Sequence, residues 1–251
     1  MELELSGKTA LVTGSSRGIG RAIAEALCAE GCQVAVNARN ADRLQTCASA
    51  IGAAVAIVGD VANPLEARRV VDETVRVLGG LDILVCNVGS GSSVPPGDET
   101  YEEWQRVFAL NLWSTTNTVE SAREALAASC GVIVCVSSIC GLEVVPGAPV
   151  TYSAAKAALH AFVRGIARPL GKVGVRINAV APGNILSDGS VWSRKLIKDS
   201  GAVQTMLGRD VALARLGNPE DVAELVVYLA SPRTAFATGG VWTLDGGQAH
   251  S

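Results

Sequence analysis

Tyr152 and Lys156 stand four residues apart in the segment YSAAK. On a helix that spacing puts the phenol and the ammonium on one face, one turn apart. A free phenol ionises near pH ~10, and a fixed positive charge a few ångströms away favours the phenolate. The pair therefore predicts a tyrosine able to give or take a proton near working pH. Residues 132–136, VIVCV, form a short apolar, β-branched run that ends in Ser137 and Ser138. It reads as a buried strand delivering hydroxyls at its C-terminal end. Ser138 is the candidate to hold a substrate oxygen, with Ser137 as the alternative if the register differs. Taken alone, these residues equally describe a buried hydroxyl, a surface tyrosine and a solvated lysine, because Tyr-x-x-x-Lys arises often by chance. The rest of the chain must decide.

The elements that would position them begin at the other end of the sequence. Residues 8–12 read as an apolar strand, residues 13–20 as the glycine loop TGSSRGIG, and Ile23, Leu27 and Cys28 as the buried face of a helix. Strand, glycine loop and helix together make a phosphate-binding turn. Lacking Cβ atoms, Gly14, Gly18 and Gly20 let the chain turn sharply, let a pyrophosphate approach the helix N-terminus and let the helix sit close on the sheet. A second strand at residues 33–38 completes a βαβ unit. Further strands are predicted at 54–58, 83–87, 132–136, 176–180 and 240–244, with helical stretches between them. Seven strands alternating with helices imply an α/β fold, a Rossmann-type doubly wound seven-stranded parallel sheet with helices on both faces. A single domain is expected to span all 251 residues.

Composition excludes several classes. The chain is 49% hydrophobic but only 4% aromatic, so its core must be built from Ala, Val, Leu and Ile. A net charge of −3 provides no basic face for nucleic acid or an anionic membrane. No apolar run reaches the length of a membrane span, and the acidic start lacks the features of a signal peptide. A cytoplasmic location is expected, with the seven cysteines as free thiols. Only His160 and His250 are present, so no histidine-rich metal site is expected. His160 is read as a residue that packs along a helix.

From TGSSRGIG through Asn87-Val88-Gly89, Asn111, Ser138, YSAAK and NAVAPG to Asp245-Gly246-Gly247, the chain resembles the short-chain dehydrogenase/reductase family over essentially its whole length. The stretch RLGNPEDVAELVVYLAS particularly resembles 3-oxoacyl carrier-protein reductases and related carbonyl reductases. The resemblance implies that Tyr152 protonates a carbonyl oxygen as a nicotinamide delivers hydride. It implies that Lys156 lowers the tyrosine pKa and holds the nicotinamide ribose, and that Ser138 stabilises the developing oxyanion. Asn111, in a helical pattern over residues 104–113, matches an asparagine that anchors a water beside the lysine. The glycine loop, including Ser16 and Ile19, implies pyrophosphate contacts. Asp60 and Val61 match the adenine contacts, and Pro182, Gly183 and Ile185 the turn that covers the nicotinamide. Asn87 and Gly89 fall in the family's Asn-Asn-Ala-Gly run, from which Cys86 and Val88 depart. The spacing of 14 from Ser138 to Tyr152, against 13 in many relatives, places an extra residue in the loop at 143–150.

Cofactor choice follows from charge. An acid at the end of the second strand would bind a ribose 2'-hydroxyl and repel a 2'-phosphate. Ala38 stands there, Arg39 follows, and Arg17 adds a second cation, so NADP(H) is the predicted cofactor. The variable segment at 184–214 carries Arg194, Lys195, Lys198 and Arg209, which either steer an anionic substrate or form a solvated face. The loop at 89–96 reads as long, glycine-rich and flexible. The predicted reaction is reduction of a ketone, with a 3-oxoacyl thioester foremost as substrate. A sugar, polyol or secondary metabolite is the alternative, and a regulatory protein that binds dinucleotide without catalysis is a remote one. Small-residue helices at 101–126 and 152–170 match the family's dimer faces, so a homotetramer is expected, with no nucleic-acid or membrane partner.

Overall fold

A computed structural model describes residues 2–249. The chain runs β1 (Thr9–Thr13), α1 (Gly18–Ala29), β2 (Gln33–Ala38), α2 (Ala41–Ile51), β3 (Val55–Val58), α3 (Pro64–Leu78), β4 (Ile83–Cys86) and α4 (Tyr101–Phe108). It continues through α5 (Ser114–Ser129), β5 (Val132–Val136), α6 (Val150–Gly171), β6 (Arg176–Pro182), α7 (Val191–Lys198), α8 (Ser200–Asp210), α9 (Pro219–Ala230) and β7 (Val241–Leu244). All seven strands are parallel, in the order β3-β2-β1-β4-β5-β6-β7. No helix is long and apolar enough to cross a membrane among the described residues.

The sheet is covered on both faces, which is why its central strands read as unbroken apolar runs. Val12, Val34, Val85 and Val134 pack toward Ile23 and Leu27 of α1 and Val222 and Val226 of α9. Leu11, Leu84 and Ile133 point the other way, toward Val70 of α3, Leu126 of α5 and Leu159 of α6. Each such side chain contributes about 1.5–3 kcal/mol when fully buried. The order reverses between β1 and β4, and at that switch point the strand ends leave a crevice.

Helix starts are fixed by local chemistry where function makes no demand on them. Asn40, Asn63 and Asn218 accept backbone N–H bonds at the heads of α2, α3 and α9. The head of α1 differs. Arg17 stands before it in extended backbone and makes no side-chain cap, and the first turn carries no acid. Gly14 and Gly18 occupy the left-handed region at φ 65° and 54°, so the turn has the backbone that glycine allows. A Cβ on Gly20 would lie 2.5 Å from the Gly14 carbonyl oxygen and would collide with Nδ2 of Asn87.

One element differs from its predicted form. The helix expected over 104–113 is α4 followed by a π turn, Ala109–Trp113, whose single wide turn contains Asn111. Such turns give helical side chains a new direction. Gly20→Ala is expected to cost about 1–3 kcal/mol of stability through overpacking. Urea unfolding would show this as a lower midpoint with an unchanged slope.

Candidate active site

The C-terminal ends of β1, β4, β5 and β6 open into one cavity of about 1350 Å³. Its wall brings together Gly14, Arg17, Gly18, Ile19, Gly20, Asn87, Gly89, Ser138, Tyr152, Lys156, Pro182, Gly183 and Ile185. Residues predicted from opposite ends of the chain therefore share one space. Five others do not line it: Ser16, Arg39, Asp60, Val61 and Asn111.

Lys156 lies on α6 at the cavity floor, with only 2% exposure, and its Nζ donates to the carbonyl of Val136 at 3.0 Å. It stands 5.9 Å from the ring centroid of Tyr152. The hydroxyl of Ser138 shares the cavity wall with the phenol and acts to lower its pKa. Ser138 Oγ also accepts from the backbone of Cys140 at 3.2 Å. Ser137 is drawn elsewhere, because its Oγ lies 2.7 Å from Nε2 of His160. Ser138, the second hydroxyl of the pair, is thus the one that His160 does not engage.

The electrostatics correct one expectation. Burial pushes the Tyr152 phenol up to about 12, the Ser138 hydrogen bond opposing this and the Cys140 charge adding to it. Burial likewise pushes Lys156 down to about 8, and charges at Cys135 and Cys140 oppose that. Desolvation disfavours both charged forms, and for the phenol it outweighs the opposing effect of Ser138.

Asn111 is 1% exposed and fully engaged. Its Oδ1 accepts from Ser90 N at 2.9 Å, while Nδ2 donates to the Ser90 and Val107 carbonyls at 3.2 and 3.0 Å. A Cβ on Gly89 would sit 2.9 Å from Asn111 Oδ1 and 3.2 Å from Lys156 Nζ, so glycine lets the three meet. Asn87 Nδ2 donates to the carbonyls of Thr13 and Gly14, tying the end of β4 to the glycine loop. The departure at Cys86 places its side chain in register with Cys135 on the neighbouring strand.

Beyond the cavity wall, Arg39 and Asp60 form an exposed ion pair at 3.5 Å. Asp60 Oδ1 also accepts from Ala62 N at 3.0 Å. The Val61 side chain belongs to the core, and Asn117 Nδ2 donates to its carbonyl at 3.4 Å.

One further expectation changes. The loop at 89–96 is tethered instead of flexible. Ser93 Oγ lies 2.6 Å from Thr151 Oγ1 and donates to Glu103 at 2.7 Å. Glu103 is in turn paired with Arg106, whose hydrogen bonds hold the carboxyl down to about 2. Three of the four cations named in the variable segment have partners. Arg209 pairs with Asp210 at 2.6 Å, Arg194 donates to the Gly189 carbonyl at 2.9 Å, and Lys195 lies 4.4 Å over Trp192. Cations so engaged are a weak lure for an anion.

Residues that sequence reasoning missed are His160, Thr151 with Ser93, and Gln248, whose Oε1 is buried at the cavity edge without a hydrogen-bond partner. For His160 a signal existed. Residues 152, 156 and 160 follow one another at four-residue steps and so share a helix face.

Comparison with known proteins identifies the family. The family model described as enoyl-(acyl carrier protein) reductase matches residues 14–249. The chain belongs to the short-chain dehydrogenase/reductase family of oxidoreductases. Within that family it is 38% identical to an L-rhamnose 1-dehydrogenase (NAD(P)(+)) of Sphingomonas sp. strain SKA58, covering 97% of this chain and 96% of that one. It is 34% identical to the 3-oxoacyl-(acyl-carrier-protein) reductase of Aquifex aeolicus, covering 98% and 99%. The structure of L-sorbose reductase from Gluconobacter frateurii, solved with NADPH and L-sorbose, superposes with a TM-score of 0.93 at 32% identity over 100% of both chains.

The lysine makes a pH signature for this short-chain dehydrogenase/reductase. Lys156 carries its charge below about 8 and loses it above, whereas Tyr152 keeps its proton to about 12. For reduction, kcat/KM is expected to fall as pH rises through about 8, since that profile reports the free enzyme. In Lys156→Arg, a guanidinium that stays protonated should remove that limb from any residual activity; a limb that persists would assign it to another group.

Proposed function

We propose that the protein is an NADP(H)-dependent carbonyl reductase that converts a ketone to a secondary alcohol, with 3-oxoacyl thioesters as its foremost substrate class. The observation that carries this reading is the gathering of the Ser138 hydroxyl, the Tyr152 phenol and buried Lys156 in the wall of one cavity whose other end is the glycine turn. The turn fits a dinucleotide: an uncapped helix head, and glycines where a Cβ would fill the approach. Gly14, Ser16, Arg17, Gly18, Ile19 and Gly20 would hold the pyrophosphate side, Asp60 and Val61 the adenine, and Asn87, Gly89, Pro182, Gly183 and Ile185 the nicotinamide side. Arg17 and Arg39, with no acid at Ala38, suit a ribose 2'-phosphate. When bound, the reduced nicotinamide supplies hydride to the carbonyl carbon.

The chain's own groups do the rest. Ser138 donates a hydrogen bond to the carbonyl oxygen and stabilises the negative charge that grows there. Tyr152 gives its proton to that oxygen as general acid. The Lys156 ammonium offsets the phenolate left behind, and Asn111 fixes the loop at Ser90 and the helix that face it. The segment at 184–214 covers the substrate.

Apolar side chains of Val145, Pro146, Pro149, Trp192 and Met206 on the cavity wall suit an acyl chain. Polar groups of Ser90, Ser92, Asn184 and Gln248 on the same wall favour a second reading, a keto sugar or polyol. A noncatalytic dinucleotide-binding protein would have no physical need of the assembled hydroxyls and ammonium. We place the protein in the cytoplasm as one domain, and propose a homotetramer. Sedimentation returning a monomer would reject the assembly.

NADPH oxidation, followed with an acetoacetyl thioester and with a panel of keto sugars, tests the reading. Turnover of the thioester supports it, whereas turnover of a keto sugar alone moves the substrate class to the second reading. A preference for NADH would overturn the roles of Arg17 and Arg39. Tyr152→Phe is expected to lower kcat by about 100-fold or more with NADPH affinity kept, and wild-type turnover in that variant would remove Tyr152 as the acid.

A further inference from the structure

The segment that presents Ser138 makes one short 3-10 turn, Ile139–Gly141, with Ser138 before it in extended backbone. One side chain of α6 grips this turn on both sides of Ser138. His160 Nε2 lies 2.7 Å from Ser137 Oγ, and Nδ1 lies 3.1 Å from the carbonyl oxygen of Gly141. A carbonyl only accepts, so Nδ1 carries the proton and Nε2 accepts from the Ser137 hydroxyl. The imidazole is 2% exposed, and burial pushes it down to about 4, so this neutral arrangement persists across the working pH range.

Packing makes the grip tight. A Cβ on Gly141 would lie 2.7 Å from the Lys156 carbonyl oxygen and 2.8 Å from Cε1 of His160, so the turn rests directly on α6 between the two residues. Ser137 N is itself fixed to the Val180 carbonyl at 2.7 Å. The hydroxyl between these anchors has little freedom left.

We infer that His160 is a positioning residue, clamping the Ser138 turn to the same helix that carries Tyr152 and Lys156. It touches neither substrate nor cofactor and acts through the placement of the Ser138 hydroxyl. The inference rests on the reading of Ser138 and Tyr152 as the reacting pair. Its physical weight comes from geometry, because a displacement of about 1 Å in such a group can cost roughly 100-fold in rate.

The test is a double-mutant cycle, read with the carbonyl substrate that the wild-type protein turns over. His160→Phe keeps a ring in the packing and removes both hydrogen bonds. It is expected to lower kcat by about 10- to 100-fold, with KM and NADPH affinity within about twofold. In a Ser138→Ala background the same change should cost less than about twofold more, because the group it positions is gone. If His160→Phe fails to fold, Ser137→Ala removes one arm of the clamp and carries the same comparison. Wild-type kcat in these variants overturns the inference, as does a full additive loss or a fall in NADPH affinity that matches the loss of rate. Ser138→Ala retaining full activity would sink the reading of the site itself, and the clamp's role with it. Nitrogen-15 spectra of labelled histidine should show His160 protonated at Nδ1 and unshifted down to about pH 5. Titration near the ordinary histidine value would contradict the clamp.

Discussion

A buried ammonium governs the site. Withdrawing a lysine charge from water costs several kcal/mol, and here the Val136 carbonyl at the end of β5 is its hydrogen-bond partner. That contact requires α6 and the end of β5 to hold a fixed distance. Glycines make the approach possible on two sides, Gly141 against the helix backbone and Gly89 against the lysine head. The parallel sheet holds β5 between β4 and β6, in register at Val134 with Val85 and Asn178, so the carbonyl does not drift. Tyr152 and Ser138 inherit their positions from this arrangement.

Much of it was legible in the sequence. Seven apolar runs separated by amphipathic stretches gave the parallel sheet, because strands buried on both faces have no polar alternation to disguise them. The glycine loop was legible because three positions lacking Cβ answer one physical need, close approach of backbone to backbone and to an anion. The four-residue step from Tyr152 to Lys156 placed both on one face of α6. Carrying the same step on to His160 would have placed it there too. A lone histidine with apolar neighbours in sequence reads as packing, and only its distances to Ser137 and Gly141 show otherwise.

The loops were less legible, for a reason that recurs at each of them. The glycines and serines at 89–93 suggest freedom, yet Asn111, Thr151 and Glu103, distant in sequence, bind that loop at Ser90 and Ser93. Arg194, Lys195 and Arg209 of the variable segment suit an anion site or a solvated face equally by composition, and neighbouring groups engage all three. Whether a polar side chain is free depends on partners that only the folded chain brings near, and composition carries no record of that. The π turn at Asn111 has the same character. It is written in no propensity, and it lets Asn111 reach both Ser90 and the Val107 carbonyl.

The correction at Tyr152 bears on how the site works. Burial acts on the phenol and the ammonium in opposite senses, raising the phenol to about 12 and lowering the ammonium to about 8. A phenol with its pKa so raised holds its proton throughout the neutral range, and in the proposed reduction that proton is the one a carbonyl oxygen needs as hydride reaches its carbon. Oxidation of an alcohol makes the opposite demand, since the phenolate must exist before the substrate hydroxyl can give up its proton. The free protein therefore stands in the state that donates. Ser138 acts against this rise and so favours the phenolate, and attraction between opposite charges strengthens where water is excluded. Desolvation thus keeps the proton on Tyr152 until a substrate oxygen arrives to take it.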